Sequence, residues 1–306
     1  MRIFITGISG LLGANLAKSF SKDTQVMGCY VGHAVDFRDP RIKAVEMNML
    51  DFEQSSKIIS EFSPDIIIHT AAMVNVDYAE AHQEEAQEMN VKMTENTVKI
   101  ASELGSKLVY ISSDSIFDGK KGNYSETDEV NPMSMYAKTK YLGEEAVRKY
   151  SNHIIIRTVI HGLNLQDKKS LSEWIISNLR SGTPFNGFND IYFTPILVNR
   201  IAPTIEHLYT IDFKGTINVA STDKLSKYDF AFLIADVFGY DKRLITSVQS
   251  DGKWIAPRPK DPSLNVDFSK KLGIKLHSVR EDLIEMKILI ENGYYEELKR
   301  CMHGSN

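Results

Sequence analysis

The chain alternates short apolar runs with longer stretches in which apolar residues recur every three or four positions. Arg2 to Thr6, Gln25 to Val31, Val45 to Met47, Asp65 to His69, Lys107 to Ile111 and His153 to Arg157 are the short runs. They are continuously apolar rather than alternating, and Asp65 to His69 holds Ile66, Ile67 and Ile68 in a row. Strands buried on both faces read this way, whereas a strand with one wet face alternates. Between the runs, Leu12, Leu16 and Phe20 fall at helical spacing, and Phe52 to Phe62 and Gln87 to Leu104 read as helices. Strands and helices in alternation predict an α/β fold, a doubly wound parallel sheet with helices on both faces, and place its ligands at the carboxyl ends of the strands.

After Arg157 the pattern changes. Lys169 to Leu179 carries Leu171, Ile175 and Leu179 at helical spacing, and Gly182-Thr183-Pro184 then turns the chain. Tyr192 to Asn199, with Pro195 inside it, suits a loop or an edge strand, and Val198 to Leu208 leads into a helix. Gly215 to Ala220 predicts a strand that returns to the sheet. Ser226 to Asp229 has capping-box spacing ahead of a helix that Gly239 can end. Asp251 to Asp267 reads as a long loop, and Ser278 to Glu281 opens a C-terminal helix that Asn292-Gly293 stops. Residues 1–160 therefore read as a Rossmann-like dinucleotide-binding domain. Residues 161–306 read mainly as a smaller substrate-binding lobe that lends the sheet a strand near 215–220.

Chemistry enters at the strand ends. The first strand runs into Gly7-Ile8-Ser9-Gly10-Leu11-Leu12-Gly13 and then a helix, a context in which glycines allow a tight turn, close approach to a pyrophosphate and close helix packing. The helix start adds free N–H groups for the phosphates. The second strand ends at Tyr30-Val31-Gly32-His33 with no acid before Asp36, which favours NADP(H) while leaving NAD(H) open, since a carboxylate there would hold the adenosine ribose hydroxyls. Arg38 or Arg41, with His33, can meet a 2′-phosphate or can equally be solvated loop cations. After the fourth strand, the small residues Thr70-Ala71-Ala72 leave room for a cofactor against the backbone. After the fifth, Ser112-Ser113-Asp114 brings two hydroxyls and a carboxylate.

Tyr136-Ala137-Lys138-Thr139-Lys140 places a phenol and an ammonium one helical turn apart on one face. The ammonium is expected to favour the phenolate and draw the phenol's pKa down from about 10, making Tyr136 a proton donor for a carbonyl. Ser113 can orient the same carbonyl. Alone, either element is weak; together with the glycine turn they point to hydride chemistry.

Composition narrows the alternatives. The 306 residues are 42% hydrophobic and 25% charged, with a net charge of -4, so no global field favours nucleic acid or an anionic membrane. Cys29 and Cys301 form no paired motif, which fits a reducing compartment, and the cytoplasm is the default location. The histidines show no metal-ligand spacing, and no metal is expected. Glu80, Glu84, Glu85 and Glu88 read as a solvated helix face. Trp174 and Trp254 read as packing residues, and Arg258 as a diphosphate clamp or an ordinary surface cation. A homodimer is left open.

Gly7, Gly10 and Gly13 with Tyr136, Lys140 and Ser113 resemble the extended short-chain dehydrogenase/reductase superfamily. Ser112 to Gly119, Tyr124-Ser125-Glu126, Pro132, Val76 to Glu80, Arg258-Pro259 and Ser263-Leu264 resemble, within it, the dTDP-4-dehydrorhamnose reductase (RmlD-like) family. The chain is also similar to the regulatory beta subunit of methionine adenosyltransferase. It departs from the reductase pattern at His69, Ser115 and His161. The resemblance implies a catalytic triad of Ser113, Tyr136 and Lys140, with Asp114 at the substrate. It implies that Gly7, Gly10, Leu11, Leu12, Gly13, Tyr30, His33, Thr70 to Ala72, Tyr136 and Lys140 hold the cofactor, Lys140 at the ribose, with Asn48 and Met49 at the adenine. The expected activity is NAD(P)H-dependent reduction of a nucleotide-linked 4-keto-6-deoxy sugar, and the alternatives are a non-catalytic cofactor-binding regulatory subunit or another sugar-nucleotide reductase or epimerase.

Overall fold

The structure, a computed structural model, describes residues 1–20, 23–252 and 254–302. Its centre is a seven-stranded sheet built from β1 (Arg2–Thr6), β2 (Gln25–Tyr30), β3 (Ile42–Glu46), β4 (Ile66–His69), β5 (Lys107–Ser113), β6 (His153–Thr158) and β7 (Gly215–Asn218). Every neighbouring pair is parallel, and the spatial order is β7-β6-β5-β4-β1-β2-β3. The order reverses at β1, which pairs with β2 on one side and β4 on the other, so the crevice of the doubly wound sheet opens above Thr6 and His69.

The unbroken apolar strands make sense in this setting because both faces are covered. Ile66 and Ile68 join one core with Ile3, Ile5, Val109 and Ile156, while Ile67 faces the other way with Phe4, Leu108 and Ile155. Helix α1 (Leu11–Ser19) lies on the first face through Leu12 and Leu16. Helices α2 (Phe52–Phe62) and α3 (Met93–Leu104) cover the second through Ile59 and Ile100. Helix α4 (Met135–Arg148) adds Val147 to that second layer.

The long helix expected over Gln87 to Leu104 is interrupted. A short helix over Gln83–Gln87 runs into a π turn over Glu88–Lys92 before α3 begins. The π turn aims the Asn90 side chain sideways: its Oδ1 accepts from the Met73 N–H at 2.7 Å, and its Nδ2 donates to Thr139 Oγ1 at 2.9 Å. A regular helix would rotate Asn90 away from both, and such turns recur beside functional sites. The third strand also starts earlier than expected, at Ile42, leaving Met47 to Met49 in the turn beyond it.

The second half supplies helices α5 (Leu171–Arg180), α6 (Ile201–Thr210), α7 (Lys227–Phe238), α8 (Val279–Glu291) and α9 (Tyr294–Arg300), plus short strand pairs. Ser226 and Ser278 form the expected capping boxes, with Asp229 and Glu281, and Gly239 ends α7 in the left-handed conformation. Tyr192 to Asn199 resolves into Tyr192–Phe193, which pairs with Leu225–Ser226, and Ile196–Leu197, which pairs with Ile160–His161, with Pro195 between them. Asn292-Gly293 does stop α8, but Gly293, at φ 78°, also starts α9, which the sequence pattern did not suggest. Lys253, inside the expected long loop, lies outside the described residues. Among the described residues, no helix is long and apolar enough to cross a membrane.

Candidate active site

Gly7 begins the glycine turn at φ 72°, with Ala71 Cα only 3.0 Å from where a side chain would start. A Cβ on Gly13 would lie 2.2 Å from the Gly7 carbonyl oxygen, so helix α1 can start this close to β1 only with glycine there. Gly13→Ala should therefore cost about 1–3 kcal/mol through forced backbone shifts and also weaken dinucleotide binding. Thermal unfolding with and without NADPH checks both; a variant equal to wild type in each would show that the turn relaxes freely.

The next strand end is tied to this turn. Thr6 Oγ1 accepts the backbone N–H groups of Thr70 and Ala71, each at 3.2 Å, and Thr70 Oγ1 donates to the Thr6 carbonyl at 2.6 Å. With both acceptor sites of Thr6 used, its proton goes to His69 Nδ1 at 2.7 Å, and Thr94, which donates to the Asn90 carbonyl, accepts from His69 Nε2–H at 3.0 Å. Burial pushes the His69 pKa down to about 3, so this ring is a neutral bridge. It fixes the Thr70 to Ala72 shelf without exchanging protons.

Above these ends lies a cleft of about 630 Å³. Gly7, Gly10, Leu11, Leu12, Gly13, Tyr30, His33, Asn48, Met49, Thr70, Ala71, Ala72, Ser113, Asp114, Tyr136 and Lys140 all line it, so the cleft gathers residues predicted from six separate places in the chain. Asp114 is its sole lining carboxylate among the described residues, against Lys140, Lys168 and Lys169, a balance suited to an anionic ligand.

Of the two readings left open for Arg38 and Arg41, the structure favours loop cations over partners of a 2′-phosphate. Neither lines the cleft. Arg41 forks onto Asp39, at 3.1 Å through Nε and 2.6 Å through Nη2, because two residues of spacing in a turn bring the planar groups face to face. Arg38 takes a left-handed backbone and donates its N–H to Asp36.

Helix α4 carries the phenol and the ammonium. Ser134 caps it by accepting from the Ala137 N–H, and Glu80 accepts from the Met135 N–H at 2.8 Å. Glu80 is thus not part of a merely solvated face: its carboxylate meets the positive end of α4. Gly143 lets the Tyr110 ring approach, and Tyr110 donates to the Lys140 carbonyl at 3.2 Å. The Lys140 ammonium donates to the Ile111 carbonyl at 2.7 Å and lies 4.1 Å from the Tyr110 ring centre. Burial draws its pKa down to about 7, against the opposing pull of Glu144.

Tyr136 does not show the expected lowering. Burial pushes it up to about 12; hydrogen bonding with Ser113 works against this, and the charge of Asp114 adds to it. Lys140 does not offset this because its ammonium is turned to a backbone carbonyl. The phenol is therefore held protonated, the form a proton donor needs. Ser113 Oγ donates to Asp114 Oδ1 at 3.2 Å, and Ser115 Oγ donates to the same oxygen at 3.2 Å.

A family model described as the RmlD substrate binding domain matches residues 1–289. The chain belongs to this family. Its relatives include methionine adenosyltransferase 2 subunit beta of Bos taurus, 30% identical, with 89% of this chain and 83% of the relative covered. Among solved structures, a hypothetical dTDP-4-dehydrorhamnose reductase from Sulfolobus tokodaii is 31% identical, covers 89% of this chain and 94% of its own, and superimposes with a TM-score of 0.79. The dTDP-4-dehydrorhamnose reductase of Clostridium acetobutylicum is 27% identical, covers 95% and 100%, and has a TM-score of 0.82.

Two parts of this RmlD-family site escaped the sequence reading. The segment after β6 folds over the glycine turn: Gln166 Nε2 donates to the Ser9 carbonyl at 3.1 Å, and Asn15 of α1 donates to the Leu163 carbonyl at 2.9 Å. The second is a neighbouring cleft of about 270 Å³, whose walls include Trp174, Phe185, Phe188 and Trp254. Both tryptophans were expected as packing residues, yet both face this opening, Trp174 at 43% exposure. Arg258 lies here rather than in the larger cleft. It donates to Asp77 at 2.8 Å through Nη2, and its Nε is buried without a hydrogen-bond partner. Lys227, at the start of α7, lines the same cleft.

Proposed function

We propose that this chain is an NADP(H)-dependent reductase of a nucleoside-diphosphate-linked 4-keto-6-deoxy sugar, with NAD(H) as the weaker cofactor. The observation that carries the reading is that Tyr136, Ser113 and Lys140 line one cleft with the glycine turn. The ribose end of that cleft, at Tyr30, Val31 and His33, offers no carboxylate, which supports NADP(H). The likeness to dTDP-4-dehydrorhamnose reductases supports the sugar class.

A reduced nicotinamide bound in the cleft supplies hydride to the ketone carbon. Ser113 orients the carbonyl, and Tyr136 gives its proton to the oxygen as alkoxide character develops. The phenolate left behind lies one helical turn from Lys140 and takes up a proton again before the next turnover. Gly7 to Gly13 and the Thr70 to Ala72 shelf hold the dinucleotide, with Asn48 and Met49 at the adenine end. The aromatic cleft with Arg258 takes the nucleoside diphosphate.

Oxidation of NADPH and NADH should be followed with dTDP-4-dehydrorhamnose as substrate. The expected result is substrate-dependent oxidation, faster with NADPH. The likeness to methionine adenosyltransferase 2 subunit beta favours a second reading, a cofactor-binding regulatory subunit. Cofactor binding without oxidation, together with co-purification of a methionine adenosyltransferase, would replace the first reading with the second.

A further inference from the structure

Helix α9 has seven residues, and none of them lines the larger cleft. Together with Cys301 it nevertheless touches three pieces of chain that surround the glycine turn. From helix α1, Asn15 Oδ1 accepts from the Tyr294 hydroxyl at 2.9 Å, and Lys18 pairs with Glu297. From the loop after β2, the Asp36 N–H donates to the Cys301 carbonyl at 2.8 Å, and Val35 and Phe37 share a core with Leu298 and Cys301. From the segment after β6, the Gln166 carbonyl accepts from the Lys299 ammonium at 2.8 Å, and the Asp167 carboxylate lies 3.5 Å from the same nitrogen.

Two of these three pieces are walls of the cleft. Val31 and His33 line it from the loop, and Asn164, Gln166, Lys168 and Lys169 line it from the segment. Gln166 is held from two sides: Lys299 engages its carbonyl, and its own Nε2 donates to the Ser9 carbonyl in the glycine turn at 3.1 Å. The helix that makes these ties is lightly anchored. Leu298 is its buried residue, Lys299 is half-buried, and Glu296, Glu297 and Arg300 are exposed. A short helix fixed by so little buried surface opens at a lower free energy than the sheet beneath it. When it opens, the loop loses the acceptor of Asp36, and the segment loses the cation on Gln166.

We propose that α9 is a clasp for the dinucleotide, with Lys299 as a positioning residue that acts through Gln166. Docked, the helix holds the loop and the segment in the arrangement that grips the cofactor; undocked, it releases both. The inference rests on the dinucleotide reading of the larger cleft, which the close-packed glycine turn supports, and is independent of what is reduced there. Because opening of α9 frees residues that line the cleft, the cofactor binds the docked form. By linkage, bound cofactor holds α9 shut.

The test is hydrogen exchange on the full chain with and without NADPH, beside a direct NADPH titration, and it needs no turnover. At an NADPH concentration about 100 times Kd, the amides of residues 295–301 should exchange about 100-fold more slowly, the factor for a ligand that binds the closed form alone. The last turn of α6, which does not line the cleft, should be unaffected. Lys299→Met should speed exchange of residues 295–301 in the absence of NADPH and weaken NADPH binding about fivefold, and Lys299→Arg should restore most of the affinity. In a Gln166→Met background, where the tie to Ser9 is gone, the effect of Lys299→Met on affinity should shrink. A merely structural helix gives a different pattern: Lys299→Met lowers Tm while NADPH affinity and NADPH-dependent protection stay as in the wild type. That pattern overturns the proposal, as does wild-type exchange at residues 295–301 that NADPH does not slow. If NADPH does not bind the wild type, the dinucleotide reading falls and the clasp with it. If the clasp behaves as expected and no keto sugar supports NADPH oxidation, the reductase reading alone fails.

Discussion

Tyr136→Phe should lower kcat for keto-sugar reduction by about 10²–10⁴-fold, the usual contribution of a positioned general acid, while leaving NADPH affinity close to wild type. A loss this large is expected because the neighbouring groups are engaged elsewhere or uncharged. Ser113 shares its only hydroxyl proton with Asp114, and Lys140 donates to the Ile111 carbonyl. His69 and His161 are both neutral, with pKa values pushed down to about 3. The substitution does not touch Gly7 to Gly13 or the Thr70 to Ala72 shelf, which are proposed to hold the cofactor. A fall in kcat with little change in cofactor affinity marks an interaction made in the transition state. Single-turnover NADPH oxidation beside a direct NADPH titration separates the two quantities. Wild-type turnover by Tyr136→Phe would remove Tyr136 from this role.

Local repeats made the core of this site legible. Tyr136 and Lys140 share a helix face because of the helical period, and Gly7, Gly10 and Gly13 declared themselves through the strand before them and the helix after. The strands were legible for the same reason: residues apolar on both faces need two covering layers, and Ile66, Ile67 and Ile68 indeed divide between two cores. What stayed hidden depended on contacts between distant segments. Gln166 meets Ser9 across 157 residues, and no local pattern announces such a pairing. The aromatic cleft requires the loop carrying Trp254 to dock, and it docks through Arg258 and the Ala256 N–H onto Asp77, 181 and 179 residues away. Charge was misjudged at Glu80 and left open at Arg41. Arg41 was weighed as a phosphate ligand although its fork is filled by Asp39 two residues earlier, and Glu80 was assigned to solvent although it meets the start of α4. The effect of Lys140 on Tyr136 failed for a related reason: spacing brings the two side chains to one face, but the Ile111 carbonyl decides where the ammonium points.

The largest loss of stability should come from Glu144→Ala, about 3–5 kcal/mol in equilibrium denaturation, as expected when one member of a buried ion pair is removed. Glu144 is completely buried, one turn beyond Lys140 on α4. Its Oε1 accepts from Ser112 Oγ at 2.6 Å and from Arg157 Nε at 3.0 Å, and its Oε2 accepts from Arg157 Nη2 at 2.9 Å and Arg148 Nη2 at 2.6 Å. The carboxylate thus ties α4 to both β5 and β6. Without it, Arg157, only 2% exposed, keeps the Glu126 carbonyl at 3.1 Å and the face of Phe117 but loses the carboxylate it forks onto. The cost comes from that stranded cation more than from the lost attraction, so Glu144→Leu combined with Arg157→Met should recover much of the loss. Acid should act in the same direction. Burial pushes the Glu144 carboxyl up, but the hydrogen bonds and charge of Arg157, helped by Ser112 and Arg148, outweigh it and leave the pKa below its ordinary 4.5. A depressed folded-state pKa contributes stability that is present above about 4.5 and is lost as pH falls through the folded value, so the wild type should lose stability in that acid window more steeply than Glu144→Gln. Parallel curves for the two proteins would show that Glu144 is not the group being titrated. The helix it anchors is the one that carries Tyr136, and its charge holds up the Lys140 pKa. Glu144→Gln should accordingly weaken the cationic character of Lys140 at neutral pH, so the contact that secures the fold also sets the charge one helical turn from Tyr136.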